Sequence, residues 1–114
     1  MRDDRERLLH ILDAIERIER YAARGHQAFA QDELIQNWMV RHVQVTGEAA
    51  RAISPEFRDK HPEIPWTEIV GTRHVLVHDY FGIELDVVWR VVDQELPDLK
   101  RKIEAILRKL GGKP

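Results

Sequence analysis

Residues 84–110, ELDVVWRVVDQELPDLKRKIEAILRKL, decide the fold. Leu85, Val88, Val92, Leu96, Leu99, Ile103, Ile106 and Leu110 follow one another at steps of three or four. That spacing lines one face of a helix and predicts a seam for bundle packing. Pro97 interrupts the seam. It has no N–H to donate and its ring meets the carbonyl four residues earlier, so a kink or restart is expected there.

The same period recurs upstream. In residues 65–81, PWTEIVGTRHVLVHDYF, Pro65 stands at a first-turn position. Trp66, Ile69, Val70, Val75 and Leu76 are expected to be buried. Gly71 costs this helix about 1 kcal/mol relative to alanine, which a backbone or ligand passing close by would justify. Ser54-Pro55-Glu56 reads as cap and first turn of a short helix over 55–60, and Pro62 stops it.

A longer helix is expected from Asp32 to Ile53. Its inner face would be Leu34, Ile35, Trp38, Met39, His42, Val45, Ala49 and Ile53, with Gly47, Ala49 and Ala50 small enough to admit a neighbouring helix. Residues 25–31 read as a polar linker with Phe29 as a hydrophobic plug. Residues 3–24 form the first amphipathic helix on Leu8, Ile11, Leu12, Ile15 and Ile18, with Asp3 or Asp4 at its cap and Gly25 at its end. The Glu and Arg residues over 16–24 read as its solvated face. No stretch alternates with period two long enough for a sheet. The predicted fold is all-α, an antiparallel bundle of four main helices plus short helices, with residues 1–114 as a single domain.

Composition narrows the function. Of 114 residues, 18 are Lys or Arg and 20 Asp or Glu, a formal net charge of −2. That opposes a protein whose main work is gripping nucleic acid through many phosphates, but leaves room for a small cationic site. There is no cysteine, so disulfides and thiolate metal sites are excluded. The N-terminus is charged from its second residue and shows no signal-peptide core. No apolar run approaches the roughly 20 residues of a membrane span. A cytoplasmic protein is the expectation.

The chemistry is concentrated in residues 71–82, GTRHVLVHDYFG. Arg73 offers a permanent planar charge suited to phosphate, and His78 moves protons near neutral pH. Together they supply what metal-free RNA cleavage needs, proton transfer and stabilisation of a charged phosphorane. Five residues of ideal helix rotate by about 500°, leaving the two side chains about 140° apart. Either the helix is distorted or two protomers pool their residues across a two-fold axis, and the second is favoured. His74 and His78 share a helical face at metal-pair spacing. No glutamate-bearing zinc motif completes them, so neither metal nor cofactor is expected. By residue chemistry alone the set also fits a hydrogen-bonded polar patch at a helix end.

The run Arg73-x4-His78-x-Tyr80 is preceded by Ile64-Pro65-Trp66 and followed by Phe81-Gly82 and a helix with Leu96-Pro97. Upstream stands Val43-x-x-x-Gly47-Glu48-Ala49-Ala50. With these flanks the chain resembles, over nearly its whole length, the HepT family of HEPN-domain toxins. The resemblance implies an HEPN-like bundle and a metal-independent endoribonuclease acting on RNA as a homodimer, with any higher assembly left open. Arg73 and His78 would form the composite catalytic site, with His74 and Asp79 as RNA-contacting or supporting groups. It further implies a MntA-like nucleotidyltransferase antitoxin that transfers AMP from ATP to Tyr80. An AMP two residues from His78 would place bulk and negative charge in the RNA site and pair with Arg73. The alternative is a non-catalytic helical module, the partner or substrate of a nucleotidyltransferase, which suits the acidic balance.

Overall fold

The computed structural model describes residues 2–71 and 85–111, and among them every regular element is a helix. The first, α1, is Arg2–Ala22. Leu8, Ile11, Ile15 and Ile18 on its apolar stripe are at most 1% exposed. After Ala22 the chain turns through Ala23 and Arg24. Gly25 adopts φ +93°, a left-handed conformation that glycine enters without steric cost.

Asp4 does not cap α1 as expected. The helix begins before it, and the Asp4 carboxylate turns inward, 5% exposed. It accepts hydrogen bonds from the Ser54 backbone N at 2.8 Å and the Ser54 Oγ at 2.7 Å. Burying a carboxylate requires such partners, because unpaired it would forfeit its hydration.

The expected linker at 25–31 is also a helix, α2, His26–Gln31. Phe29 plugs the core as predicted, at 1% exposure. The short helix is held at its far end by Gln36, whose Nε2 donates to the carbonyls of Phe29 and Ala30 at 3.0 and 3.2 Å. Those carbonyls have no partner within so short a helix.

Asp32 caps α3, Glu33–Arg51, by accepting from the backbone N of Leu34 at 2.9 Å and Ile35 at 3.4 Å. The buried stripe of α3 is Ile35, Met39, Val43, Thr46 and Ala50. The expected inner face was therefore partly out of phase. Leu34, one residue or about 100° off the stripe, is 80% exposed. Trp38, His42 and Val45 are only half-buried. The Thr46 hydroxyl donates to the His42 carbonyl at 2.9 Å, which satisfies it within the core. Gly47, Ala49 and Ala50 are all buried, as a close helix neighbour requires.

Ser54 caps α4, Pro55–Lys60, accepting from the Phe57 backbone N at 3.2 Å. The next helix, α5, covers residues 66–71 of those described and follows Pro65. Among the described residues, nothing lies within 4 Å of where a Cβ on Gly71 would sit. The chain resumes in α6, Leu85–Arg90, passes through a π-helical turn, Val91–Glu95, and continues as α7, Leu96–Lys109. Leu110, expected at the end of the seam, lies beyond α7 and is 48% exposed.

The two ends of α1 and α3 fix their antiparallel pairing: Asp4 meets Ser54 just past α3, and the Trp38 indole N–H donates to the Arg17 carbonyl at 2.9 Å. Among the described residues, these two helices share the most extensive interface. The π turn and α7 pack on α1, while α6 lies against α2 and α3. One continuous core results, from Leu8 and Met39 to Val88 and Ile103, all fully buried. No helix among the described residues is long and apolar enough to cross a membrane.

Candidate active site

Arg73, His74, His78, Asp79 and Tyr80 lie outside the described residues, so the expected convergence of Arg73 and His78 is neither met nor missed by them. What the structure does describe is the frame on both sides of the stretch.

On the entry side, a capped turn delivers α5. Ile64 and Trp66 are 2% and 7% exposed and pack with Phe57, whose ring centroid is 6.4 Å from that of Trp66. The Trp66 indole N–H donates to the His61 carbonyl at 3.0 Å. The His61 ring in turn lies 4.5 Å from Phe57. Pro65 fixes the backbone between these anchors, and its carbonyl accepts the Ile69 N–H at 3.0 Å, the first turn of α5. Burial and a satisfied indole together hold the direction in which α5 leaves, two residues before Arg73.

On the exit side, Val88 is fully buried and Trp89 joins an aromatic cluster with α2. The Trp89 ring lies 5.3 Å from Phe29 and 5.2 Å from His26, the latter edge-to-face. The residues misread as a linker therefore hold α6 through Trp89, near the end of that helix. Between entry and exit, Val43, Ile69, Val91, Leu96 and Leu99 floor a small apolar cleft. Glu68 and Glu95 stand at its edge.

Charges around the frame are mostly paired at the surface. Lys100 bonds Glu19 at 2.9 Å, and that hydrogen bond raises its pKa. Asp98 is bonded by Lys102 at 3.0 Å and Arg101 at 2.8 Å, and its pKa is lowered, the Lys102 hydrogen bond first among the causes. His61 Nδ1 lies 3.3 Å from Glu63. Among the described residues, no group of three His, Asp or Glu side chains is arranged to hold a metal ion.

Sequence reasoning did not single out one cluster. Arg17, read as part of a solvated face, and Trp38 and His42, read as core, meet on the outer seam between α1 and α3. The His42 pKa is lowered, first by burial, then by Arg17 and Arg41, against an opposing pull from Asp13. Only the four-residue spacing of Asp13, Arg17 and Tyr21 hinted at it, since the other half comes from a different helix.

Comparison with known proteins bears on the whole chain. The family model described as ribonuclease HepT-like matches residues 11–106. A relative from Caldanaerobacter subterraneus subsp. tengcongensis, provisionally named an RNase, is 36% identical over 110 residues, spanning 96% of this chain and 98% of its own. A Thermococcus cleftensis protein provisionally named ribonuclease HepT is 36% identical over 106 residues, 92% of this chain and 96% of its own. A third, from Methanocaldococcus jannaschii and also provisionally named an RNase, is 36% identical over 81 residues, 71% of this chain and 74% of its own. No solved structure matches the chain at a significant level.

Proposed function

The chain belongs to the HepT-like ribonuclease family, and from that premise we propose that it is the toxin of a toxin–antitoxin pair, a metal-independent endoribonuclease. Arg73 and His78 carry the reaction. His78 exchanges the proton of the attacking 2′-hydroxyl or the leaving oxygen, and Arg73 neutralises the phosphorane. His74 and Asp79 flank the pair as RNA-contacting or supporting groups. The observation that carries this reading is family membership over residues 11–106, which takes in the Arg73-x4-His78 run. A homodimer pools two such pairs in one cleft, which suits the poor convergence of the two side chains on one regular helix. The enzyme works in the cytoplasm, where its RNA substrate is.

The test is cleavage of RNA by the purified chain in the presence of a chelator. Arg73→Ala or His78→Ala is expected to lower the rate by about 10²- to 10⁴-fold with an unchanged circular dichroism spectrum. Undiminished cleavage by either variant overturns the assignment. Mixing the two variants restores part of the activity where one site draws on both protomers.

Control by a nucleotidyltransferase antitoxin of the MntA type belongs to the same reading. Attack of the Tyr80 oxygen on the α-phosphorus of ATP, with loss of the phenolic proton and release of pyrophosphate, would place a phosphodiester beside Arg73 and His78 and block RNA. Incubation with that partner and ATP should add AMP mass that maps to Tyr80 and is lost in Tyr80→Phe. Mass on other residues alone removes this part. Lack of cleavage by AMP-free protein would instead favour a helical docking module.

A further inference from the structure

The outer seam between α1 and α3 gathers cations and rings that the proposed cleavage chemistry does not use. On α1, Arg17, Arg20 and Arg24 follow at three- and four-residue steps with Tyr21 among them. The Arg24 guanidinium lies 4.9 Å from the Tyr21 ring centroid. From α3, Trp38 meets Tyr21 edge-on at 5.3 Å and His42 at 4.4 Å. Trp38 is half-buried, and its indole N–H is engaged by the Arg17 carbonyl, so the ring is fixed in place. Arg17 and Arg41 bear on His42 from the two helices. The carboxylate opposing them, Asp13, is already bridged to Arg17 at 2.9 Å. Asp32 and Glu33 lie beyond Arg24 and close that end of the seam.

In a chain of net charge −2 this is a local excess of permanent positive charge beside immobilised rings. Guanidinium forks suit phosphate oxygens, and a fixed aromatic ring beside them suits an unpaired base. We propose that the α1–α3 seam is a second RNA-contacting surface, with Arg17 and Arg41 on phosphates of a single-stranded region and Trp38 and His42 as a ledge for a base. The proposal rests on the ribonuclease reading. The seam belongs to α1 and α3, not to the helices entering and leaving residues 72–84, so it acts on affinity for RNA and not on bond cleavage.

The test is the double variant Arg17→Ala/Arg41→Ala, with Arg101→Ala/Arg108→Ala on α7 as a control of equal charge. The Arg17 side chain is 42% exposed, and its structural bond to Trp38 uses the backbone carbonyl, which alanine keeps. Binding of an unstructured fluorescent RNA is measured in a His78→Ala background, and KM and kcat in the active one. The seam variant is expected to raise Kd and KM about tenfold with kcat unchanged, and the control to do neither. The slope of log K against log salt should fall by about 1.4, at about 0.7 per phosphate contact for single strands. An unchanged Kd and slope, while the wild type cleaves RNA, overturn the seam and leave the ribonuclease reading standing. RNA binding that depends on the seam, in a wild type that never cleaves, does the reverse. A changed oligomer mass in the seam variant by light scattering makes the face a protein interface and removes the proposal.

Discussion

Helix α1 and the composite of α6, the π turn and α7 are two long amphipathic elements of this bundle, packed on each other, and they solve the same problem differently. Both bury a stripe spaced by three and four residues. Over its 21 residues α1 runs without interruption. The composite reaches Pro97 and changes its hydrogen bonding just before it, with the Leu96 N–H going to the Val91 carbonyl five residues back. The wider turn eases the contact between a proline ring and the carbonyl of Asp93, and the chain re-enters the α register with Pro97 in the first turn of α7. Val91, Val92 and Leu96 remain buried through the change. A seam can absorb a proline without losing its face when the irregularity is confined to one turn.

Cutting the seam on either side tests whether the two elements share one core. Ile11→Ala in α1 and Ile103→Ala in α7 each remove a side chain that is 0% exposed, and each should cost about 2–5 kcal/mol. Urea denaturation checks this; a markedly smaller loss for Ile103→Ala would mean that α7 is a loosely attached arm. Next in size is Asp4→Ala, which strands the part-buried Ser54 N–H and should cost about 1–3 kcal/mol. Ser54→Ala keeps the backbone donor but loses the hydroxyl bond to Asp4 and the α4 cap, and should cost a comparable amount.

Pro97→Ala addresses the difference between the two elements directly. It restores a donor and removes the ring, so stability should change by no more than about 1 kcal/mol, with the π turn reverting to α-helical amide exchange. A loss well beyond that would show that packing against α1, and not proline, imposes the π turn.

The smallest effect is pH-dependent. The His42 pKa is lowered from 6.5, so the fold favours the neutral ring. Stability is therefore fully present above pH 6.5 and declines as pH falls through the lowered value. His42→Gln should shrink the Tm difference between neutral and mildly acidic buffer. An unchanged difference would place the acid sensitivity elsewhere.

Much of the fold was legible because helix period and punctuation are local properties. Ser54-Pro55, Pro65 and the stripe from Leu8 to Ile18 each act within a turn or two of chain. The misreadings share a cause. Leu34, Val45 and Leu110 are apolar at plausible spacing, and which side of a helix they occupy depends on where the neighbours lie. Residues 25–31 are too short and polar to announce a helix, and contacts from elsewhere, Gln36 and Trp89 among them, support one. Asp4 looked like a cap because local sequence cannot reveal a partner fifty residues away.

The candidate site divides in the same way. Arg73, His78 and Tyr80 stand out as candidates from one short run together with the flanks that carry the family resemblance. The frame on either side of that run, Trp66 bonded to His61 before it and Trp89 against His26 and Phe29 after it, comes from three separated segments.

By itself, then, the sequence determined an all-α chain, the order of its main helices and a candidate run for its chemistry. Helical period, proline and capping all act over a few residues. Tertiary structure alone decided that Asp4 faces inward to Ser54, that α2 clamps α6, and that Arg17, Trp38, Arg41 and His42 share one surface. Each of these is a meeting between distant segments, and no local pattern encodes it.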